Sequence, residues 1–299
     1  MLIYKKMIKN KLKYYMMINN KYLKYYKLDI DIHKDKIVKE YINNNTKAIH
    51  YLKKNPEFII WNILSKNKNA IHLLTNNQDK ICWCSLSCNK NAIKLLKNNI
   101  NKIDWIRLSL NKNGIELLKE NPDKINYRML SFNRNAVDIL KNNIKEISFE
   151  HLSSNKNAME LLEKNTSMIS WHYLSYNKYA IEILKKNINF IDWDYLSYNL
   201  NGLELLKENF QKINWANLSF NYNAIELLKK YPEKINWKNL SFNRGAIEIL
   251  EENADKIHWD NLMQNRNAIE IIKKYPERIT NKILFNPNIF KLKYINIKL

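Results

Sequence analysis

Glycine, proline and cysteine are scarce in this sequence, and each scarcity excludes a class of protein. The 299 residues include three Gly, five Pro and three Cys. So few glycines exclude a collagenous segment, a Gly-rich phosphate-binding loop and a sandwich built on many tight turns. The three cysteines crowd into residues 82–88 and give no disulfide framework. We therefore expect an intracellular, reducing compartment.

Long apolar runs and acidic residues are also in short supply. No apolar run approaches the roughly 18 residues that a membrane span needs, and the lysine-rich N-terminus lacks the apolar core of a secretory signal. Lys and Arg number 50 against 29 Asp and Glu, which gives a net charge of +21 and favours acidic partners. The apolar share of 45% is ample for a core and excludes global disorder.

A strict repeat of 22 residues organises the chain. The unit reads W-x-x-L-S-x-N-x-N-A-I-x-L-L-x-x-N-x-x-K-I-x, and from Asn45 to Phe285 it gives ten copies of 22 residues and one of 21. Tyr127 and Phe149 fill the two gaps in its tryptophan column. All eight tryptophans lie on that column: Trp61, Trp83, Trp105, Trp171, Trp193, Trp215, Trp237 and Trp259. A register kept this long indicates stacked copies of one supersecondary element.

Each unit predicts two helices. The A-I-x-L-L segment gives one apolar stripe at helical spacing. We expect Asn155 and its equivalents to be the N-caps of this first helix, and Asn99 and its equivalents to end it in a left-handed conformation. A short second helix begins at the Trp column, capped by the preceding residue, as at Asp104. The alternative is a leucine-rich-repeat-like unit with Ile-x-Trp as a strand, which the missing L-x-x-L-x-L-x-x-N pattern disfavours.

The sequence therefore predicts an all-α solenoid of about eleven helix–turn–helix repeats with terminal caps. Residues 1–44 are expected to form a basic N-terminal arm or cap with a half repeat, residues 45–285 the repeat array, and residues 286–299 the C-terminal cap. The lysines and tyrosines of residues 1–36 also suit an arm that binds nucleic acid or an anionic membrane surface. The cap is favoured because the end of a solenoid needs a polar cover.

The repeat motif resembles the tandem 22-residue repeats of uncharacterised proteins encoded by large DNA viruses of the mimivirus type. Those units often carry N-P-x-A-I and close with N-P-x-I-F, which Asn286-Pro287-Asn288-Ile289-Phe290 matches. Lys or Arg replaces the Pro in most units here. The resemblance covers residues 45–290 and implies a viral protein of the host cytoplasm. The family has no established activity that could be assigned to this chain.

Most columns of the repeat are predicted to be structural. Trp, Leu, Ile and Ala should form the core, and Asn and Ser should form capping ladders. The outer face of the first helix should carry ion pairs at i,i+4, such as Lys112 with Glu116, and at i,i+3, such as Glu116 with Lys119. This face is predicted to be a solvated, somewhat basic ridge.

The second helix has free positions one, two and five residues after Trp, and these are aromatic rather than charged. Aromatic residues, Met and Arg are enriched at recognition surfaces, so we predict a partner-binding face there. The alternative is that the rings pack against the adjacent repeat, in which case they would be buried. The predicted binding residues are Ile106, Arg107, Leu110, Arg128, Met129, Phe132, His172, Tyr173, Tyr176, Tyr195, Tyr198, Phe220, Lys238 and Phe242.

No catalytic or metal motif stands out. Cys82, Cys84, Cys88 and His72 do not converge at the spacing of a zinc site, and no nucleophile with a base recurs, so we expect no metal, no cofactor and no enzyme activity. The favoured function is a monomeric, non-catalytic scaffold for protein–protein interaction. The alternative is a helical repeat that binds nucleic acid through its basic rows and aromatic stacking. About half of the net charge lies outside the repeats, which argues against that alternative.

Overall fold

The protein is an all-α solenoid of repeats, as the sequence predicts. The computed structural model describes residues 36–46, 48–279 and Asn286. All regular elements in these residues are helical and none is a strand, so the leucine-rich-repeat alternative is wrong. Over the same residues, no helix has the length and apolar content to cross a bilayer. The described residues belong to two compact units, one within Ile32–Leu205 and one within Leu206–Leu299. This division falls inside the predicted array, at a repeat that keeps the motif.

Each of the first ten repeats contains three short helical elements in the order first α-helix, 3-10 helix, second α-helix, and the described part of the eleventh contains the first two. The sequence predicted the two α-helices but not the 3-10 turn between them. A further helix, Lys36–Asn44, precedes the first repeat. The first helices are Ile49–Lys54, Ile71–Thr75, Ile93–Lys97, Ile115–Lys119, Val137–Lys141, Met159–Glu163, Ile181–Lys186, Leu203–Glu208, Ile225–Lys230, Ile247–Glu252 and Ile269–Lys274.

The two other elements have equally regular bounds. The 3-10 helices are Pro56–Phe58, Gln78–Lys80, Ile100–Lys102, Pro122–Lys124, Ile144–Glu146, Thr166–Met168, Ile188–Phe190, Phe210–Lys212, Pro232–Lys234, Ala254–Lys256 and Pro276–Arg278. The second helices are Trp61–Leu64, Trp83–Ser87, Trp105–Leu110, Tyr127–Leu130, Phe149–Leu152, Trp171–Tyr176, Trp193–Tyr198, Trp215–Leu218, Trp237–Leu240 and Trp259–Leu262.

The core consists of the leucine and alanine columns. Leu130, Ala136 and Leu140 are fully buried in one repeat, and their described equivalents are buried in the other repeats except Ala48, which is half-buried. The preceding second helix approaches this column closely, since a Cβ added at Gly114 would come within 2.8 Å of the Leu108 side chain. Isolated helices shorter than roughly 12–15 residues are marginal in water. These much shorter helices therefore depend on the packing and hydrogen bonds that join successive repeats.

The asparagine six places after Trp joins repeats and is not the N-cap of the first helix, so that prediction was wrong. Asn133 is 2% exposed, and its Nδ2 donates to the carbonyl oxygens of Ser109 at 2.9 Å and Asn111 at 3.0 Å in the preceding repeat. Its Oδ1 accepts from the Asn135 N–H at 3.1 Å and forms an Asx-turn. At Asn155, which repeats this arrangement, the helix begins four residues later, with Ala158 in the cap position.

The serine column also joins repeats. The Ser131 hydroxyl donates to the Tyr127 carbonyl at 2.7 Å and accepts from the Ser148 N–H of the next repeat at 3.1 Å. The predicted capping role is confirmed for Ser131, which is the C-cap residue of the second helix Tyr127–Leu130. The hydroxyl also connects the second helices of consecutive repeats, a role that the sequence did not predict.

The second asparagine column does not take the predicted left-handed conformation. Asn99 has φ −139° and ψ 50°, and its Nδ2 donates back to the Leu95 carbonyl at 3.0 Å. It begins the 3-10 helix, which explains the prolines that follow this column, because proline suits the first position of a helix. Pro122 occupies that position.

Capping of the second helix is confirmed where the cap is Asp or Asn. The Asp104 carboxylate accepts from the Arg107 N–H at 3.0 Å, and the Asn126 side chain accepts from the Met129 N–H at 2.9 Å. Ser170 occupies the same position and makes no such bond. The predicted cap Thr280 lies outside the described residues.

Described residues at both ends continue the columns that join repeats, with Asn43 in the position of the serine column and Asn286 in that of the asparagine column. Asn43, in the helix that precedes the first repeat, donates to the Phe58 carbonyl at 2.8 Å and accepts from the Ile60 N–H at 2.9 Å. At the other end, buried Asn286 donates to the Asn265 carbonyl at 2.8 Å. The remainder of the two predicted caps, residues 1–35 and 287–299, lies outside the described residues.

Replacing Asn133 with Ala tests the ladder. The change leaves the buried Ser109 carbonyl without this donor and the Asn135 N–H without its acceptor. We expect the free energy of unfolding to fall by roughly 1–3 kcal/mol, measured by urea denaturation followed by circular dichroism. The control is Asn135→Ala, which removes only an exposed bond to the Lys112 carbonyl. If the free energy of unfolding fell equally in the two variants, the buried bonds would not be the stronger contact between repeats, and this interpretation would be wrong.

Candidate functional site

The predicted binding residues lie at the protein surface. Ile106, Tyr176 and Phe132 are 56%, 58% and 41% exposed. Met129, Tyr195, Tyr198 and Phe220 are half-buried, and the other predicted residues are exposed: Arg107, Leu110, Arg128, His172, Tyr173, Lys238 and Phe242. The expectation that Tyr173, Tyr176, Tyr195 and Tyr198 are accessible is confirmed. What this surface binds stays a prediction.

A cluster of aromatic rings joins two repeats of the unit Ile32–Leu205. The ring centroids of Tyr176, Tyr195 and Tyr198 lie 6.3–6.4 Å from one another. His172 packs on Tyr195 at 3.6 Å between centroids, and its Nδ1 lies 2.9 Å from Asp192 Oδ2. Burial, with smaller contributions from neighbouring Tyr195, Tyr176 and Asp194, raises the pKa of Tyr198. The rings thus pack across the repeats, as the alternative proposed, and still keep exposed area.

A second contact group lies one repeat earlier and includes a residue that the sequence did not single out. His151 is 8% exposed and packs edge-on against Phe132 at 4.3 Å between centroids. Its Nδ1 lies 2.7 Å from the Ser148 hydroxyl, and Arg128 donates to its Nε2 at 3.5 Å. A catalytic histidine is normally oriented by a hydrogen-bond acceptor, whereas here the second ring nitrogen faces a cation. His151 lies two residues after Phe149, at one of the free positions of the second helix. This position in the repeat is the sequence signal that would have identified it.

The remaining predicted residues belong to the unit within Leu206–Leu299. Phe220 and Phe242 stack across consecutive repeats, with ring centroids 5.9 Å apart and planes at 25°. Lys238 is exposed on the second helix Trp237–Leu240. The structure therefore brings Phe220 and Phe242 together at equivalent positions of consecutive repeats.

The outer face of the first helices is partly neutralised by ion pairs. Glu116 pairs with Lys119 at 2.9 Å, as predicted at i,i+3. Other pairs join repeats, such as Lys97 with Glu120 at 2.6 Å. Hydrogen bonds from Lys164 and Lys141 lower the pKa of Glu160 to about 2. These ion pairs compensate part of the positive charge of the predicted basic ridge.

The predicted pair of Lys112 with Glu116 does not form. Lys112 lies in the turn before the helix, which begins only at Ile115, so the i,i+4 geometry of a helix does not apply. Glu116 bonds Lys119 instead. The equivalent Lys178 likewise makes no pair with Glu182, whose carboxylate accepts a hydrogen bond from Lys185 at 3.2 Å.

The tryptophan column is half-buried, so its prediction as core was wrong. Four of the indoles, those of Trp61, Trp83, Trp171 and Trp237, are covered by the last residue of the following 3-10 helix. Lys102 lies 4.9 Å above the Trp83 ring, and Phe190 stacks on Trp171 at 5.0 Å with planes at 16°. Each of these indoles is thus sandwiched between its own repeat and a cation or a ring from the next 3-10 helix.

The structure places two of the three cysteines close together. Cys82 and Cys84 have their sulfur atoms 3.1 Å apart, a closeness that the spacing did not predict. Burial raises the pKa of Cys82, but its hydrogen bonds with Ser85 and Cys84 outweigh this effect and bring the pKa below its ordinary value. Among the described residues, no three His, Cys, Asp or Glu side chains group as metal ligands.

The environment of His151 predicts a pH dependence of stability. Burial, together with nearby Arg128, lowers its pKa, and this outweighs the opposite effect of Glu150. The unfolded chain then binds more protons, so stability is complete above the ordinary histidine pKa of about 6.5 and falls as the pH drops below it. We expect the urea midpoint to decrease between about pH 7.5 and 5.5. It should decrease less in the variant His151→Gln, and an identical pH dependence in both proteins would contradict this assignment.

Comparison with family models, with curated proteins and with solved structures finds no match to this chain. A functional site therefore has no relative from which residues could be carried over. The assignment of function rests on the geometry and chemistry of the surfaces described above.

Proposed function

We propose that this chain is a non-catalytic repeat scaffold that binds a protein partner along the face of its second helices. The observation that carries the proposal is the exposure of large apolar side chains at positions one, two and five after the Trp column. Ile106, Tyr173 and Phe132 are examples from three different repeats. Aromatic residues, Met and Arg dominate the hot spots of protein interfaces.

The contrast between the two helix faces supports this assignment. The first helices expose lysines and glutamates that satisfy one another, as in the pair of Lys141 with Glu160 at 3.0 Å. The second helices expose rings and aliphatic side chains at equivalent places in the repeat. Exposed apolar area costs free energy in water, so a surface that binds no partner is expected to carry polar or charged residues instead.

The side chains of this face are suited to contact and not to chemistry. His172 is paired with Asp192 and stacked on Tyr195, and His151 has Ser148 at one ring nitrogen and Arg128 at the other. Neither arrangement presents a nucleophile beside an oriented base. The resemblance to viral repeat proteins would make the partner a host protein.

The basic rows of the first helices do not favour the alternative nucleic-acid function on that face. Their lysines are held by glutamates of the same or the next repeat, as at Lys119 and Lys97. A phosphate chain would have to displace those carboxylates. The face of the second helices is therefore the better interaction surface for a protein.

The triple variant Ile106→Ser, Met129→Ser, Tyr173→Ser tests the proposed face. All three residues sit on second helices, one or two places after the Trp column. A hot-spot truncation costs at least about 2 kcal/mol, or roughly 30-fold in affinity, so the variant should lose the partner. The measurement is a pull-down from producing cells, followed by titration of the partner that the wild-type protein retains.

The matched control is Ile144→Ser, Met168→Ser, Ile188→Ser. These residues are 43%, 54% and 41% exposed and lie on the 3-10 helices, outside the second helices. The control removes a similar apolar area and should retain the partner. Loss of the partner in both variants, or in neither, would overturn the assignment to the second helices.

A further inference from the structure

A row of cations without ion-pair partners runs along one edge of the unit Ile32–Leu205. It lies at the middle residue of the N-x-N turn, with one member in each of six consecutive repeats. Its members, here called the cation row, are Lys68, Lys90, Lys112, Arg134, Lys156 and Lys178. Lys156 is half-buried and the others are exposed. Within the described part of the chain, none of them lies within ion-pair distance of a carboxylate.

The asparagine columns hold the cation row in place. The exposed Asn of each turn donates its Nδ2 to the backbone carbonyl of the cation in the preceding repeat. Asn113 bonds Lys90 at 2.9 Å, Asn135 bonds Lys112 at 3.0 Å, and Asn157 bonds Arg134 at 2.9 Å. The side chains are therefore carried on fixed backbone at regular intervals.

The members of the row repel one another. Burial and the neighbouring cations Arg134, Lys90 and Lys156 lower the pKa of Lys112. Like charges held this close destabilise the charged form, and no carboxylate in the turn offsets it. An anion bound along the row would relieve this repulsion.

Beside the row lies a groove of about 450 Å³ that combines cations with aromatic rings. Its residues come from the N-x-N turns, which include four members of the cation row, and from the fifth position after the Trp column, and none of them is acidic. It is lined by Lys112, Phe132, Arg134, Ser154, Asn155, Lys156, Tyr176, Asn177, Lys178, Tyr179, Tyr198 and Leu200.

The repeat departs from its own structural rule inside this groove. In the turns that begin at Asn67 and at its equivalents in later repeats, the last residue is Asn, except at Tyr179 and Gly245. Tyr179 cannot make the bond that Asn makes to the preceding repeat, and it is 50% exposed. Its ring lies 5.5 Å from the Lys156 Nζ and 5.2 Å from the Lys178 Nζ. Breaks in an otherwise consistent pattern are expected at functional sites.

We propose that the groove and its cation row bind a single-stranded nucleic acid. The cations would track the phosphates, and the exposed faces of Tyr176, Tyr179 and Phe132 would stack on bases. A positively charged groove with stacking rings is the arrangement by which proteins hold single strands. Neighbouring helices are about 8–10 Å apart, so six repeats extend the row over roughly 40–50 Å.

An acidic peptide fits this groove less well. An extended peptide needs partners for its backbone N–H and C=O groups. The side-chain amides at the groove floor are already used by the fold: Asn155 Nδ2 donates to the Ser131 and Asn133 carbonyls, and Asn177 Nδ2 donates to the Ser153 carbonyl. Bases and phosphates need only the rings and cations that remain available.

This site is additional to the proposed protein-binding face. The residues changed to test that face, Ile106, Met129 and Tyr173, do not line the groove. The two surfaces meet only at the fifth position after the Trp column. Binding of a protein and of a single strand can therefore be tested with separate variants.

The double variant Lys112→Ser, Lys156→Ser tests the cation row. The probe is a fluorescent, mixed-sequence RNA of about 15 nucleotides, within the range of roughly 4–16 that single-strand grooves cover. Each phosphate contact contributes about −0.7 to the slope of log K against log salt, so six contacts give a slope of about −4. The variant should weaken binding and flatten the slope by about 1.4.

The matched control is Lys119→Ser, Lys185→Ser, which removes the same charge from the same unit. Both lysines are ion-paired with glutamates of their own helix. The control should keep the salt slope and the affinity of the wild-type protein. Equal weakening in both variants would mean attraction to net charge alone and would overturn the proposal, as would the absence of RNA binding at low salt.

The variant Tyr176→Ser tests the stacking wall. Loss of one stacked base should weaken binding to single-stranded RNA by roughly 5- to 150-fold without changing the salt slope. Binding to a duplex of the same sequence should be weaker in the wild-type protein and unaffected by this change, because paired bases are not free to stack. Displacement of the RNA by polyglutamate at equal charge concentration would overturn the proposal in favour of an acidic polypeptide.

Discussion

The structure depends on hydrogen bonds from asparagine side chains to the backbone of the preceding repeat. The first and second helices are too short to be stable alone. Asn133 joins its repeat to the last one through the Ser109 and Asn111 carbonyls, while its Oδ1 closes its own turn. Amides that are fully used in this way cannot vary, since a buried carbonyl left unpaired is costly. The invariance of the column over the repeats follows from this constraint.

The same turn decides where charge is left over. Because the N-x-N segment is held as an Asx-turn, the residue at its centre lies outside the helix and cannot pair with a glutamate one helical turn later. Lys112 is excluded from the ion pairs of the first helix, whereas Lys119 joins them. The result is a partly neutralised helix face and an uncompensated edge. Total charge gives no indication of this distribution.

The two proposed surfaces differ in chemistry because they come from different parts of the repeat. The second helix presents side chains from positions that the core does not use, and aromatic residues occupy many of them. The turn presents cations on backbone that is fixed by the neighbouring repeat. Tyr176 and Tyr198 lie where the two meet, and they line the groove. A protein and a single strand could thus be held by one array without sharing their main contacts.

The sequence by itself determined the repeat, the all-α class, the buried Leu and Ala columns, the Asp and Asn caps of the second helix and the exposure of the tyrosines. These follow from spacing within one unit, because helical periodicity and capping are local. The tertiary structure alone decided the partners of Asn133 and Ser131, the half-burial of the indoles and the isolation of Lys112. A side-chain amide or hydroxyl has several acceptors within reach in its own unit, so the sequence favoured a local cap. The partners actually used lie 17–24 residues away, in the adjacent repeat, where only stacking brings them within bonding distance.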